Sequence, residues 1–310
     1  MGPNASWPDR VLVTDVVTRD GLQDEARTVP TADKLAVIAA LVDAGVRSVE
    51  AASFVHPGLV PQMADADELM ARLPRCPGVR YSVLVPNRKG AERALATPPH
   101  EVRLVVSASE HHNRANLNRS VDESLAELAD VVDYVRAREP DVAIVAGLAT
   151  AFMCPVEGAV PVDRLRYMVG KLTAMGVGSV NLADTTGSAN PVLVGTSVAA
   201  VQDTFPTVEL SLHLHDTLGR GLANALAGLN AGVQSFDASL GGLGGCPFAP
   251  GAAGNVATED LVSMLHAMGV RTGIDPVALA RASDLLPAAV GHGLASTAWR
   301  LRQSAAEASA

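Results

Sequence analysis

The feature that most constrains this chain is an alternation. Eight short runs rich in Val, Ile and Leu are each followed by a helical stretch or a long loop, from Arg10 to Ser239. The predicted strands are Arg10–Val17, Arg47–Ser53, Arg80–Pro86, Glu101–Ala108, Val142–Gly147, Ser179–Ala183, Val208–His215 and Gln234–Ser239. The predicted helices lie near Thr31–Ala44 (with Thr31 as its cap), Pro61–Leu73, Arg88–Ala96, Ser120–Arg138, Pro161–Met175, Pro191–Asp203 and Arg220–Ala231. Three of them stop at Gly45, Gly176 or Gly232, just ahead of the next strand; a glycine there is a helix-stop signal. Strict β–α alternation at this length is the pattern of an α/β chain folded as a (β/α)8 TIM barrel. A doubly wound sheet is the alternative. Against it, the first strand runs into Arg19-Asp20-Gly21-Leu22-Gln23, not into a Gly-x-Gly-x-x-Gly phosphate loop.

A glycine-rich loop, Gly241–Asn255, follows the eighth strand, and helices near Thr258–Met268, Pro276–Leu286 and Gly293–Gln303 complete the chain. The expectation is one domain over residues 10–303, with a C-terminal helical extension from about residue 256. Residues 1–9 read as a disordered start and 304–310 as a loose tail. No run of about 20 apolar residues is present, so no membrane helix is expected. The formal charge of −9 argues against nucleic acid or an anionic membrane as partner, though not against a local basic patch for a phosphorylated ligand. Three scattered cysteines (Cys76, Cys154 and Cys246) are too few for a disulfide framework. The N-terminus carries no apolar signal region. A cytoplasmic protein is the expectation.

Within this frame, Leu210-Ser211-Leu212-His213-Leu214-His215-Asp216 stands out. The period of two places both imidazoles on one strand face, with their Cα atoms roughly 6.5–7 Å apart. That suits one metal ion; the plain alternative is two polar core residues. A barrel collects its chemistry at the C-terminal strand ends. Those ends carry Arg19 and Asp20, Glu50 and Ser53, Ser107 and Glu110, Asp184 and Thr185, then His213 and His215. Singly each is weak: Asp20 could cap a turn, Glu50 could pair with a surface Arg, and Asp184-Thr185 could cap a helix. Gathered on one rim they outweigh those readings. Asp20, His213 and His215 form an O/N set without thiolate, which suits Mg²⁺, Mn²⁺ or another divalent ion, Zn²⁺ among them, rather than structural zinc. Asn255 is either a fourth ligand or a turn residue. Cys246, set among glycines and before Pro247, suits a catalytic acid on a closing loop, the alternative being a small buried hydrophobe. Cys76 and Cys154 read as core. His111-His112 reads as a solvated rim.

These residues resemble the 3-hydroxy-3-methylglutaryl-CoA lyase family of the metal-dependent lyase and condensing-enzyme superfamily. The resemblance rests on Thr18-Arg19-Asp20-Gly21-Leu22-Gln23, Val49-Glu50-Ala51-Ala52-Ser53-Phe54-Val55 and Val60-Pro61-Gln62-Met63. Further along it rests on Asp184-Thr185, His213-Leu214-His215-Asp216-Thr217, Gly241–Phe248 and Gly254–Asp260. It implies a carbon–carbon lyase that acts on an acyl-CoA, works as a homodimer or higher homo-oligomer, and holds a divalent ion through Asp20, His213, His215 and Asn255. It further implies that Arg19 stabilises an enolate oxygen and that Cys246 protonates or expels the acetyl fragment. Glu50 and Asp184 would be supporting or acid/base groups near the metal, with Asp20 and His213 also in the catalytic set, and Gln23, Ser53 and Thr185 would line the pocket. Asn113, Arg114, Asn116 and the C-terminal segment are candidates for holding CoA.

The cysteine loop favours the lyases over the aldolase- or Claisen-type condensing enzymes, and a silent barrel with a binding or scaffold role is the non-enzyme alternative. One departure matters. Where the family pattern on the fifth strand reads Arg-Gly-Tyr-Val-Ser, this chain reads Val145-Ala146-Gly147-Leu148-Ala149. The resemblance implies a 3-hydroxy-3-methylglutaryl-CoA-like substrate split into acetyl-CoA and acetoacetate; losing an Arg and a Tyr leaves more room and less positive charge, so a bulkier or less anionic acyl group is the alternative.

Overall fold

The eight runs close on one another. The computed structural model describes residues 7–245 and 254–308. Its barrel strands are β1 (Leu12–Asp15), β2 (Ser48–Ser53), β3 (Arg80–Leu84), β4 (Glu101–Ser107), β5 (Ala143–Ala149), β6 (Ser179–Asp184), β7 (Glu209–Leu214) and β8 (Ser235–Ala238). Each pairs in parallel with the next, and β8 returns to β1 with Leu12 beside Ser235 and Asp15 beside Ala238. A closed parallel barrel has no edge strand, and this closure removes the doubly wound alternative.

The helical cover is α1 (Thr31–Asp43), α2 (Ala66–Arg72), α3 (Arg88–Ala94), α4 (Glu110–Leu117), α5 (Val121–Arg138), α6 (Val162–Ala174), α7 (Pro191–Thr204), α8 (Gly221–Asn230), α9 (Thr258–Ala267), α10 (Pro276–Ser283), α11 (Leu286–Val290) and α12 (Thr297–Ala308). Ser120 and Glu123 form a reciprocal capping box on α5, which satisfies amides at its N-terminus. Gly45, Gly176 and Gly232 all have positive φ, as the sequence predicts. At Gly45 a side chain is excluded outright, since a Cβ would lie 2.3 Å from the Gly273 carbonyl oxygen. Aliphatic residues from strands and helices, such as Val37, Leu41, Val83, Leu128, Leu165 and Val198, fill the layer between barrel and helices. Inside the barrel the composition differs: Glu50, Arg103, Asn181, His213 and Asp237 are buried or nearly so. A polar interior is unusual where branched aliphatics normally fill the layers.

Several local expectations change. Thr31 does not cap α1; its hydroxyl donates to Asp65 (2.8 Å), which also accepts from the buried Lys34 (2.6 Å). That pair ties α1 to the turn at Pro61–Met63. Helix α4 was not expected, because its polar residues give no apolar stripe. Near the start of the described residues, the Trp7 indole donates to Asn230 and the Val11 amide donates to the Arg271 carbonyl, where a disordered segment is expected through residue 9. Helix α12 continues through 304–308, where a tail is expected; Ala, Glu and Gln there are good helix formers. Helix α9 packs beside α8, and α10 packs against both α9 and α1, so the segment beyond 256 helps complete the ring rather than only extending it. No described helix is long and apolar enough to cross a membrane.

Candidate active site

The site begins at the end of β1. Asp15 accepts the Val17 amide (2.9 Å), and the chain then makes one π-turn over Val17–Gly21, with the amides of Asp20 and Gly21 converging on the Val16 carbonyl. Such a turn is a local irregularity often found at functional sites. It carries Arg19 and Asp20 into the barrel mouth, where both line a cavity of about 700 Å³. This volume falls in the usual range for small-molecule sites.

Arg19 makes a two-pronged contact with Glu50, Nε to Oε1 at 2.7 Å and Nη2 to Oε2 at 3.1 Å, and its other nitrogen contacts Asp20. Burial opposes the charge on Arg19, but Asp20 and Glu50 outweigh it and raise its pKa further. Burial alone would raise the pKa of Asp20; Arg19 and the two histidines reverse that and hold its carboxyl well below the usual range.

His213 on β7 and His215 just past its end face the same way, as the period of two predicts. Their Nε2 atoms point at each other at 3.2 Å, and Asp20 Oδ2 lies 3.7 and 3.9 Å away. One ligand atom from each of the three residues lies within 4.8 Å of the others. Burial and the neighbouring His213 push His215 down to about 4, so its ring is neutral at pH 7. For His213, burial lowers the pKa, but the hydrogen bond to Asp237 and the charge on Asp20 raise it overall. Asp237 accepts from His213 Nδ1 at 3.2 Å. That contact turns Nε2 toward the centre, the arrangement in which a carboxylate orients a metal-binding imidazole.

Asn255 completes the group. Residues 254–257 lie beside the end of β7: Asp216 donates to the Gly254 carbonyl, and Val256 donates to the Leu214 carbonyl. The Asn255 amide donates to Asp20 (2.7 Å) and to the Leu243 carbonyl (3.1 Å). Those donations fix the amide and leave its buried Oδ1 without a hydrogen-bond partner among the described residues. An orphaned carbonyl oxygen, two facing imidazole nitrogens and a low-pKa carboxylate make a donor set that fits a divalent cation.

The other expected residues divide. Gln23, Ser53, Thr185, Val145 and Gly147 all line the cavity, as does Glu50. Asp184 does not. Its carboxyl accepts the Ser188 and Ala189 amides, so it holds the turn after β6, and burial pushes it up to about 6. Glu110 likewise receives the Val121 amide and braces the start of α5. Of the CoA candidates, Asn116 lines the cavity, whereas Asn113 is buried and ties Ser107 to the α4–α5 turn. His111 is exposed, but His112 is buried, faces Ser107 at 2.7 Å and lines the cavity; the solvated-rim reading fails for it. Cys246 lies outside the described residues, and Gly245 just before it is in the cavity wall. Two residues were missed, Arg103 and Asp237. Both sit mid-strand, and a charge at an inward position of a predicted barrel strand was the available signal.

The HMGL-like family matches residues 10–286.

The chain belongs to the HMGL-like family.

Among its relatives is a hydroxymethylglutaryl-CoA lyase of Bacillus subtilis, 40% identical over 290 residues that cover 94% of this chain and 96% of the relative. An (R)-citramalyl-CoA lyase of Chloroflexus aurantiacus is 41% identical, with 92% and 93% covered. The solved structure of an HMG-CoA lyase from Acinetobacter baumannii in complex with coenzyme A and 3-methylmalate superposes with a TM-score of 0.88, at 40% identity and with 96% and 95% of the chains covered. The family and these relatives mark this HMGL-like chain as an enzyme, a carbon–carbon lyase. The pattern departure at Val145 and Gly147 therefore lies inside a family that holds lyases named for two different acyl groups.

Proposed function

We propose that this chain is a divalent-metal-dependent lyase that splits a 3-hydroxyacyl-CoA of the 3-hydroxy-3-methylglutaryl type into acetyl-CoA and a keto acid, acetoacetate for the methylglutaryl thioester. The observation that carries the reading is the Asp20–His213–His215 cluster, with the Asn255 oxygen and the Arg19 guanidinium beside it, at the mouth of one cavity. Bound there, a divalent ion, Mg²⁺ or Mn²⁺ above all, supplies the Lewis acidity that makes a tertiary hydroxyl easier to deprotonate.

The chain's own groups account for the rest. As the hydroxyl passes its proton to Asp20 or His213 of the cluster, its oxygen forms the ketone, the C2–C3 bond breaks, and the electron pair moves into the thioester as an enolate. Arg19 presents fixed positive charge to that developing oxygen. Glu50 holds the guanidinium from behind through two contacts, so little reorganisation is needed during reaction. Asp237 fixes the His213 ring. Cys246 would return a proton to the enolate carbon. Asp184, tied to the turn after β6, acts by holding that loop in place. The described cysteines, Cys76 and Cys154, are free thiols, which suits a cytoplasmic setting.

A second acyl group is favoured by Gly147. A Cβ there would meet only the Leu104 carbonyl oxygen, at 3.1 Å, and the residue faces the cavity. With no side chain at Gly147, the cavity would admit a 3-substituent larger than methyl. The deciding experiment is product detection with purified protein, Mg²⁺ or Mn²⁺, and the methylglutaryl, citramalyl and longer 3-hydroxyacyl thioesters, beside a Cys246→Ala variant. Acetyl-CoA from at least one of them, lost in the variant, supports the lyase. Metal binding with no cleavage of any of them sinks it and turns the search to the condensing direction.

A further inference from the structure

Arg103 and Val145 are register partners on β4 and β5, and both line the cavity. Val145 is the position at which the family pattern carries an arginine. Here the guanidinium stands one strand over. Its Nη1 lies 2.8 Å from Asp237 and 3.6 Å from Glu50, and its Nε lies 3.0 Å from Glu101. Each of the first two partners holds a different arm of the site. Asp237 orients His213 of the metal cluster, and Glu50 grips Arg19. The contacts form one buried line, Arg19–Glu50–Arg103–Asp237–His213.

We propose that Arg103 is a positioning residue that locks the metal-binding and enolate-binding arms into one frame, taking over from β4 the role of a cation lost from β5. What the two arms do rests on the functional reading above. The frame itself rests on charge. Without Arg103, Glu101 would keep Arg80 and Glu50 would keep Arg19, but Asp237 would keep only the Asn181 amide and the His213 ring. The Arg103 contact at 2.8 Å is the shortest one Asp237 makes, and a buried carboxylate that loses its cation is held less firmly in place. Asp237 would then hold His213 Nδ1 less firmly, and Nε2 would no longer be fixed toward the cluster. The pocket has therefore not lost the positive charge that Val145 alone suggests. That charge is engaged by carboxylates rather than offered to the substrate.

The test uses the full chain as Arg103→Met, and as Arg103→Met combined with Val145→Arg, which moves the cation across the register pair. The first readout needs no metal. Nitrogen-15 NMR of the His213 ring reports which nitrogen carries the proton. The wild type is expected to show Nδ1–H, Arg103→Met a mixture of tautomers, and the double variant Nδ1–H again. The second readout is Mn²⁺ affinity, expected to fall about 10–100-fold in Arg103→Met, the usual effect of disturbing an outer-shell partner, and to recover in the double variant. A folded Arg103→Met protein with the wild-type tautomer overturns the inference. Should that variant not fold, the double variant decides: wild-type tautomer and affinity support the inference, and their loss overturns it. Absence of any thioester cleavage by the wild type would instead strike the functional reading, leaving the tautomer comparison intact.

Discussion

Asn255 and His215 face each other in an antiparallel bridge at the end of β7. The bridge joins two segments forty residues apart because Gly254 and Gly244 touch: a Cβ on Gly254 would lie 1.6 Å from the Gly244 carbonyl oxygen. The two ends of the glycine-rich loop are thus pinched together beside the candidate metal cluster, and only glycine permits that approach. The bridge also aims the unpartnered Asn255 oxygen. Asn255→Ala should keep the fold and weaken Mn²⁺ binding by about tenfold or more, the scale of a perturbed metal site. Titration followed by electron paramagnetic resonance measures it. An unchanged affinity would return Asn255 to the role of a turn residue.

Arg19 and Asp20 are adjacent in sequence and separable in role. Arg19→Gln should lower kcat by about 10²–10³, the effect of removing one donor to a developing oxyanion. It should not weaken metal binding, because the substitution removes a positive charge next to the cluster. Steady-state rates and Mn²⁺ titration on the same preparation separate the two effects. Weaker metal binding in this variant would mean that Arg19 chiefly supports Asp20.

How much of this was legible in the sequence follows from what kind of signal each part leaves. The barrel was readable because every strand repeats the same apolar pattern and three glycines mark helix ends at Gly45, Gly176 and Gly232. His213 and His215 were readable because a period of two fixes their face. Helix α4 was not, since its residues carry no apolar stripe. The π-turn was not, since nothing in Val17-Thr18-Arg19-Asp20-Gly21 separates it from an ordinary loop. Arg103 and Asp237 were overlooked for a different reason. Barrel chemistry is expected at the strand ends, whereas these two sit mid-strand and act from below. Asp184 shows the converse: correctly placed at a strand end, it turns its carboxyl to backbone amides.

Gly147 lines the cavity, and on the proposed function it would set the width of the acyl pocket. Gly147→Val adds bulk on the cavity side while its Cβ presses on the Leu104 carbonyl at 3.1 Å, a contact the strand pair can ease by a few tenths of an ångström. The variant should lose activity toward thioesters with a large 3-substituent by about 10–100-fold relative to the methylglutaryl thioester, the discrimination that a methylene or two gives in an apolar pocket. Competition assays with paired substrates read that ratio directly. A ratio that does not move would place the acyl substituent elsewhere in the cavity.

Asp15 and Glu259 give the fold a pH dependence of definite sign. Burial is the main cause that pushes each up to about 7, and Asp15 adds to the shift of Glu259. Both carboxyls support backbone near the site: Asp15 receives the Val17 amide and the Thr258 hydroxyl, and Glu259 receives the Gly241 amide. In the unfolded chain carboxyls ionise near pH 4. Between about pH 4 and 7 the folded state therefore holds protons that the unfolded state has released. Stability from these groups is full at the acid end of that window and is lost as pH rises through 7. Glu259→Gln keeps an acceptor for Gly241 and removes the titration, so its denaturation midpoint should fall less between pH 5 and 8 than that of the wild type. Parallel urea titrations at the two pH values test this. Equal slopes would show that the Gly241 amide holds Glu259 ionised in the folded protein despite its burial.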